Sequence, residues 1–293
     1  MPDYETILYE KQRGGVLITL NRPEVLNALS SKLQTELHEA FDEAEADPEV
    51  RAAVITGSGR GFSAGADIGG GGSEAREEVW PYGLPEGMSV AERLDTTRTG
   101  TIAGVKRELH LWELGIPVIS AVNGWCMGAG SWLALSCHMT IAAEDAVFSQ
   151  PEVRMIDSSS FFWIHLAGFK NGLRYALTGD HIDAQEALRI GLVNKVVPPD
   201  QLVEEALSIV ERIALVSPET VKINLSVATM GLEMMGLRNA LMLEAELAAI
   251  ARSSRRYDFL EHMIEAQKEG GMRAFLQARD GPFRPEPFGP RSA

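Results

Sequence analysis

The chain has 293 residues, enough for one large domain or one domain with an appendage. Hydrophobic residues make up 45%, ample for a core, and 27 basic against 41 acidic residues leave a net charge of −14. That balance argues against nucleic acid and against an anionic membrane surface as partners, so an anionic ligand has to be held by local dipoles and a few basic side chains.

In chain order, the N-terminal stretch lacks an apolar signal-peptide core, and no run of about 18 apolar residues offers a membrane span. Gly15 to Leu20 is β-branched and bounded by Gly and Asn-Arg-Pro, which predicts a strand. Ser30 then reads as an N-cap, with Leu33, Leu37, Ala40, Phe41 and Ala44 at helical spacing and Asp47-Pro48 as the stop. Arg51 to Thr56 predicts a second buried strand, after which Gly57-Ser58-Gly59 turns into Phe62-Ser63-Ala64-Gly65-Ala66-Asp67-Ile68. Residues 69–100, with a four-glycine run, Pro81, Pro85 and Gly87, read as a mobile loop at a site entrance or as an ordinary surface insertion. A helix is expected over Ile102 to Leu114.

Val118 to Val122 predicts a central strand, followed by a turn at Asn123-Gly124, then Met127-Gly128-Ala129-Gly130 and an apolar run from Trp132. Small residues at a strand-to-helix turn let a ligand approach the backbone and leave helical N–H groups free for an oxyanion. The stretch ends on Gln150-Pro151-Glu152, which sets one carboxylate beside an apolar segment. Beyond it, helices are expected over Asn171 to Thr178, Ala184 to Ile190 and Leu202 to Val216, with a short strand at Val193 to Val197. Three or four amphipathic helices should follow between Pro218 and Ala278, and a proline-rich irregular tail after them. Two cysteines, Cys126 and Cys137, make no disulfide framework and read as reduced thiols of a cytoplasmic protein. His110, His138, His165 and His181 lack ligand spacing, so no metal is expected.

Taken as an ordered set, these motifs resemble the crotonase, or enoyl-CoA hydratase/isomerase, superfamily, over about residues 5–280. The matching pieces are Asn21-Arg22-Pro23 with Asn27-Ala28-Leu29, Phe62 to Ile68, Pro117 to Gly124, Gly128-Ala129-Gly130 and Phe148 to Glu152. Thr178-Gly179, Ala184 to Ala187 and Gly191-Leu192-Val193 complete them. The resemblance implies an α/β fold, a ββα superhelix over residues 1–217, with a C-terminal helical region at 218–280 that drives trimer or hexamer formation and an irregular tail at 281–293. Leu237, Leu241, Leu243 and Leu247 are the apolar residues expected to serve assembly.

The resemblance further implies an acyl-CoA thioester as ligand, coenzyme A being part of the substrate and no separate cofactor being needed. The backbone N–H groups of Ala64 and Ala129 would hold the thioester carbonyl, with Met127, Gly128 and Pro151 around it. Val25, Leu26, Ala28, Ala66, Asp67 and Ile68 would line the adenine and pantetheine path, although Asp67 also reads as a loop carboxylate. Glu152 matches one of the family's two glutamates. The other position is Trp132, and an indole is no general base. A lone Glu152 among Trp132, Phe148, Phe161 and Trp163 would have a raised pKa and act as the single acid/base. Asp157 could add a polar group, or cap a helix starting near Phe161. The expected function is enolate chemistry on an enoyl-CoA. The alternatives are thioester or C–C hydrolysis, binding without turnover, and RNA binding, which the −14 charge disfavours. An aromatic-rich site would suit a bulky or cyclic acyl group.

Overall fold

A computed structural model describes residues 4–67, 88–253 and 257–289. Ile68, most of the expected 69–100 loop and the last four residues lie outside them. One sheet has the order β1 (Ile7–Gln12), β2 (Gly15–Leu20), β3 (Ala53–Gly57), β5 (Val118–Val122), β7 (Met139–Ala143) and β10 (Lys195–Val197). Only the β1–β2 pair is antiparallel. A second sheet runs β4 (Gly61–Ser63), β6 (Trp125–Met127), β8 (Val147–Ser149) and β9 (Ile182–Asp183).

The chain passes from the first sheet to the second three times, each time by a tight turn, and then enters a helix. β3 and β4 lead to α2 (Val90–Glu113), β5 and β6 to α3 (Ala129–Ser136), and β7 and β8 to α4 (Phe161–Thr178). This is the expected ββα repeat. The central strands are buried on both faces, as parallel strands between covering helices must be. Ile55 and Val118 face the main core, whereas Val54 and Ile119 pack against α6 (Leu202–Ala214) through Leu202, Ala206 and Val210.

α1 (Ser31–Ala46) starts where expected, with Ser30 Oγ accepting from Leu33 N, and buries the predicted stripe of Leu33, Leu37, Ala40, Phe41 and Ala44. Each large side chain in that stripe stabilises by roughly 1.5–3 kcal/mol, so Phe41→Ala is the single change most damaging to its docking. α2 begins well before Ile102. Ser89 and Glu92 form a reciprocal capping box, which carries residues 90–100 into the helix rather than the loop. α4 begins at Phe161, where a helix start was expected, and continues past a non-helical Gly168 into the helix expected over 171–178.

α5 (Ala184–Ile190) follows β9, and after α6 come α7 (Pro218–Met234), α8 (Leu237–Ser253) and α9 (Tyr257–Asp280). α8 lies along α2 and puts Leu237, Leu241 and Ala245 into the main core. Leu237 and Leu241 are therefore intramolecular core residues. Of the four leucines expected to serve assembly, Leu243 and Leu247 are exposed, at 58% and 55%.

Candidate active site

Two turns interlock at the centre of the molecule. The first follows β4, and the second joins β6 to α3. Gly65 has φ +91°, and a Cβ there would stand 2.7 Å from Met127 O and 3.3 Å from Ala129 N. A Cβ at Gly130 would stand 2.7 Å from Ser63 O. Close backbone approach is thus the reason for the small residues. Ser63 Oγ donates to Asn27 O and accepts from Gly65 N, while Leu29 N donates to Gly65 O, so the Asn27–Leu29 segment braces the first turn.

Ala129 is the first residue of α3, where a backbone N–H has no intrahelical acceptor. The expected second donor needs correction. Ala64 N already donates to Leu26 O at 2.8 Å and is not available to a ligand. Two residues on, Ala66 N has no acceptor among the described residues, and Ala66 lines a cavity together with Ala129, Trp132 and Leu133. The available pair of N–H groups is therefore Ala66 and Ala129.

Glu152 lies in a 3-10 turn, Pro151–Met155. It is 8% exposed, and neither carboxylate oxygen has a hydrogen-bond partner on another described residue. Its tip reaches the Gly128 turn, since a Cβ at Gly128 would stand 3.0 Å from Glu152 Oε2. Only glycine leaves room for it. Burial pushes Glu152 up to about 8; its own backbone N–H, Arg279 and Arg252 oppose the rise, and the nearby Asp157 adds to it. The segment that carries it is tied down by Arg154, which is almost fully buried. Arg154 donates to Thr178 O, Asp280 Oδ1 and Glu286 Oε1, each at 2.9 Å, and its guanidinium lies 3.9 Å from the Phe283 ring centre. The tail from Asp280 to Glu286 is thus a strap over this segment.

Trp132 is half-buried on the cavity wall, with Nε1 donating to Gln150 Oε1 at 3.2 Å. Gln150 Oε1 also accepts from Ser160 N, which fixes the amide and hence the indole. Asp157 does not cap α4, because Ser160 does so, with Oγ accepting from Phe162 N. Instead Asp157 is paired with Arg252 of α8, Nε to Oδ2 at 2.8 Å, and its other oxygen accepts from Ser158 N. Asp67 is likewise occupied, by Arg22 Nη1 at 2.9 Å, and Arg22 also holds Ala28 O. Val25 and Leu26 flank this brace half-buried, Ala28 and Met127 are buried, and Ile68 lies outside the described residues.

Phe148 and Trp163 are fully buried in the core and do not line the cavity, and Phe161 does not line it either. The expectation of an aromatic-rich site is corrected accordingly. The cavity combines the Trp132 indole with polar groups that the sequence left unnoticed: His38, Arg107, Glu108, Glu244 and Arg252. Burial pushes Glu108 up to about 8. Glu244, also raised by burial, accepts from Phe161 N at 2.6 Å. Each of these acids sits in a helix whose neighbouring residues are core positions, such as Leu109 beside Glu108 and Ala245 beside Glu244. A charged residue at the edge of an apolar stripe was the one available signal. No group of three or more His, Cys, Asp or Glu side chains among the described residues could hold a metal ion. No helix among them is long and apolar enough to cross a membrane.

The fold and this pair of turns have clear relatives. The family model described as Enoyl-CoA hydratase/isomerase matches residues 10–285. A protein of Rhizobium meliloti named "Probable enoyl-CoA hydratase" is 36% identical over 96% of this chain and 98% of its own. A crystal structure of an enoyl-CoA hydratase/isomerase from Xanthobacter autotrophicus Py2 superposes with a TM-score of 0.82 at 34% identity, covering 96% of this chain and 99% of the other. A monofunctional enoyl CoA isomerase from M. smegmatis gives 0.61 at 30% identity, covering 78% and 94%. The chain belongs to the enoyl-CoA hydratase/isomerase family.

Proposed function

We propose that this protein moves the double bond of an enoyl-CoA, using Glu152 as a single proton shuttle and the N–H groups of Ala66 and Ala129 to hold the thioester oxygen. The observation that carries this reading is the Glu152 carboxylate, buried without a partner on another described residue against the glycine turn that precedes Ala129. Ionised Glu152 takes a proton from the carbon next to the thioester of a 3-enoyl chain. The electron pair moves onto the thioester oxygen as a dienolate, which two backbone donors stabilise. Loss of one such donor typically costs about 2.7–4 kcal/mol. Glu152 then returns the proton to the far end of the dienolate, so the double bond shifts and no atom is gained or lost. Syn-hydration needs a second group to position water, and Trp132 stands where the family resemblance places it. A monofunctional enoyl CoA isomerase among the structural relatives is consistent with this reaction, although several relatives are named hydratases, so the preference rests on Trp132.

The test is a set of 2- and 3-enoyl-CoA thioesters incubated in D2O and followed by mass spectrometry and NMR. The expected result is double-bond migration with deuterium at the carbons flanking the dienolate and no water adduct. Rapid hydration of crotonyl-CoA by the wild-type protein would overturn the reading. Trp132→Glu should gain hydration, because two close carboxylates divide into one protonated and one ionised group.

We further propose self-association through α7. This helix buries none of its residues within the chain and presents Ile223, Val227, Met230 and Met234 on one exposed face. Light scattering at micromolar concentration should show trimers or hexamers, and a monodisperse monomer would refute this.

A further inference from the structure

The cavity wall formed by α1 and α2 carries a hydrogen-bonded relay. His38 of α1 lines the cavity, and its Nδ1 lies 2.7 Å from Nδ1 of His110 on α2. His110 Nε2 lies 2.8 Å from Asp42 Oδ1, one helical turn beyond His38. The chain of contacts runs outward, the His110 side chain being 27% exposed and that of Asp42 64%.

Two ring nitrogens at that distance share one hydrogen, so one donates and the other accepts. A carboxylate only accepts, so His110 carries its hydrogen on Nε2. In the neutral ring its Nδ1 is then an acceptor, and His38 has to donate from Nδ1. That leaves His38 Nε2 with a lone pair and no hydrogen-bond partner among the described residues. Burial, with the adjacent His110 and Arg107, pushes His38 down to about 4 and keeps it neutral. Arg107 lines the same wall, and its guanidinium makes no hydrogen bond or ion pair with a described residue.

We propose that this wall recognises a hydroxyl group on the acyl chain, which donates its hydrogen to His38 Nε2 and accepts one from Arg107. The inference rests on reading the cavity as the acyl-group site. A hydroxyl, both donor and acceptor at one oxygen, satisfies the two partners at once. A carboxylate would suit Arg107 but oppose its lone pairs to that of His38. An alkyl end would leave two half-buried polar groups unpaired, a loss that falls on the ligand lacking the hydroxyl. His110 and Asp42 are positioning residues, since they act by fixing the His38 tautomer. The hydroxyl can be alcoholic or phenolic, and the two arms of the experiment separate these.

The experiment measures affinity in the Glu152→Gln protein, which removes turnover from the comparison. One arm sets para-hydroxycinnamoyl-CoA against cinnamoyl-CoA. The other sets an ω-hydroxylated 2-enoyl-CoA against the same chain ending in a methyl group. The hydroxylated member of at least one pair should bind about tenfold tighter or more, and His38→Leu should bring that ratio close to one. Nitrogen-15 NMR of the wild-type imidazoles should show His38 unprotonated at Nε2. Asp42→Asn should change that signature and reduce the ratio, and Asp42→Glu should restore both. Equal affinity within both pairs, or a hydrogen on His38 Nε2, overturns the proposal while leaving the acyl-CoA reading intact. If neither member of either pair binds, the acyl-CoA reading itself fails, and this inference with it.

Discussion

Glu152 and Arg154 lie two residues apart in one 3-10 turn, and both are buried. Their surroundings are opposite. Arg154 is satisfied by a backbone carbonyl, two carboxylates and an aromatic face, while neither oxygen of Glu152 has a partner on another described residue. A buried charge normally persists only when paired. Arg154 obeys that rule and holds the turn in place. Glu152 escapes it by a raised pKa, which favours its neutral form below about pH 8. The difference separates a group whose partners are all in the fold from one whose partner is still to come.

The largest expected effect comes from removing the unpaired group. Glu152→Gln should lower turnover by about 10²–10⁴-fold, with acyl-CoA affinity nearly unchanged, as single-turnover assays and calorimetry would show. Full activity in that variant would abolish the contrast. Removing the paired group tests the other half. Arg154→Met removes one of two partners from each of Asp280, which keeps Arg279, and Glu286, which keeps His181, and should cost about 1–3 kcal/mol of stability in urea titrations.

A smaller effect separates the two residues by pH. Glu152 is raised from 4.5 to about 8, so the folded protein holds a proton there that the unfolded chain releases, and stability falls as pH rises through that window. Glu152→Gln should remove this slope and stabilise the protein by about 1–3 kcal/mol near pH 8. In the wild-type enzyme kcat/KM should rise with pH up to about 8, because proton abstraction needs the ionised form. Glu286 runs the opposite way. Burial opposes its charge, but His181 and Arg154 hold it down to about 2. Its contribution is present above the ordinary carboxylate range and is lost as pH falls toward 2. Glu286→Gln should cost about 1–3 kcal/mol at neutral pH and little in strong acid, as thermal melts would show.

The same contrast marks what could be read in advance. The local settings of Glu152 and Ala129, a turn after Gln150-Pro151 and a helix start after Gly128, were legible because short motifs fold into local turns. The Ser30 cap and the Leu33–Ala44 stripe were legible for the same reason. β4, β6 and β8 have three residues each and no visible alternation, so the second sheet was not. The Ala64 assignment failed through backbone pairing with Leu26, which no side-chain pattern encodes. Residues 90–100 carried a Ser-x-x-Glu capping signal at Ser89, but the glycine-rich segment before it masked the helix start. Partners far apart in sequence were invisible, such as Asp157 with Arg252 and Arg154 with Glu286. His38 meets His110 only because α1 and α2 lie side by side.

The strap over Arg154 also has a consequence for how the protein is made. Asp280, which grips Arg154, is 126 residues further along the chain. A ribosome that has released everything through α8 has delivered the glutamate, both glycine turns and every cavity residue discussed, yet not the anchor that immobilises the glutamate's segment. On the proposed role of Glu152, nascent chains are therefore expected to lack activity until the strap has been made and has emerged from the exit tunnel. An acyl thioester would then meet an ordered Glu152 segment only after that late step of synthesis.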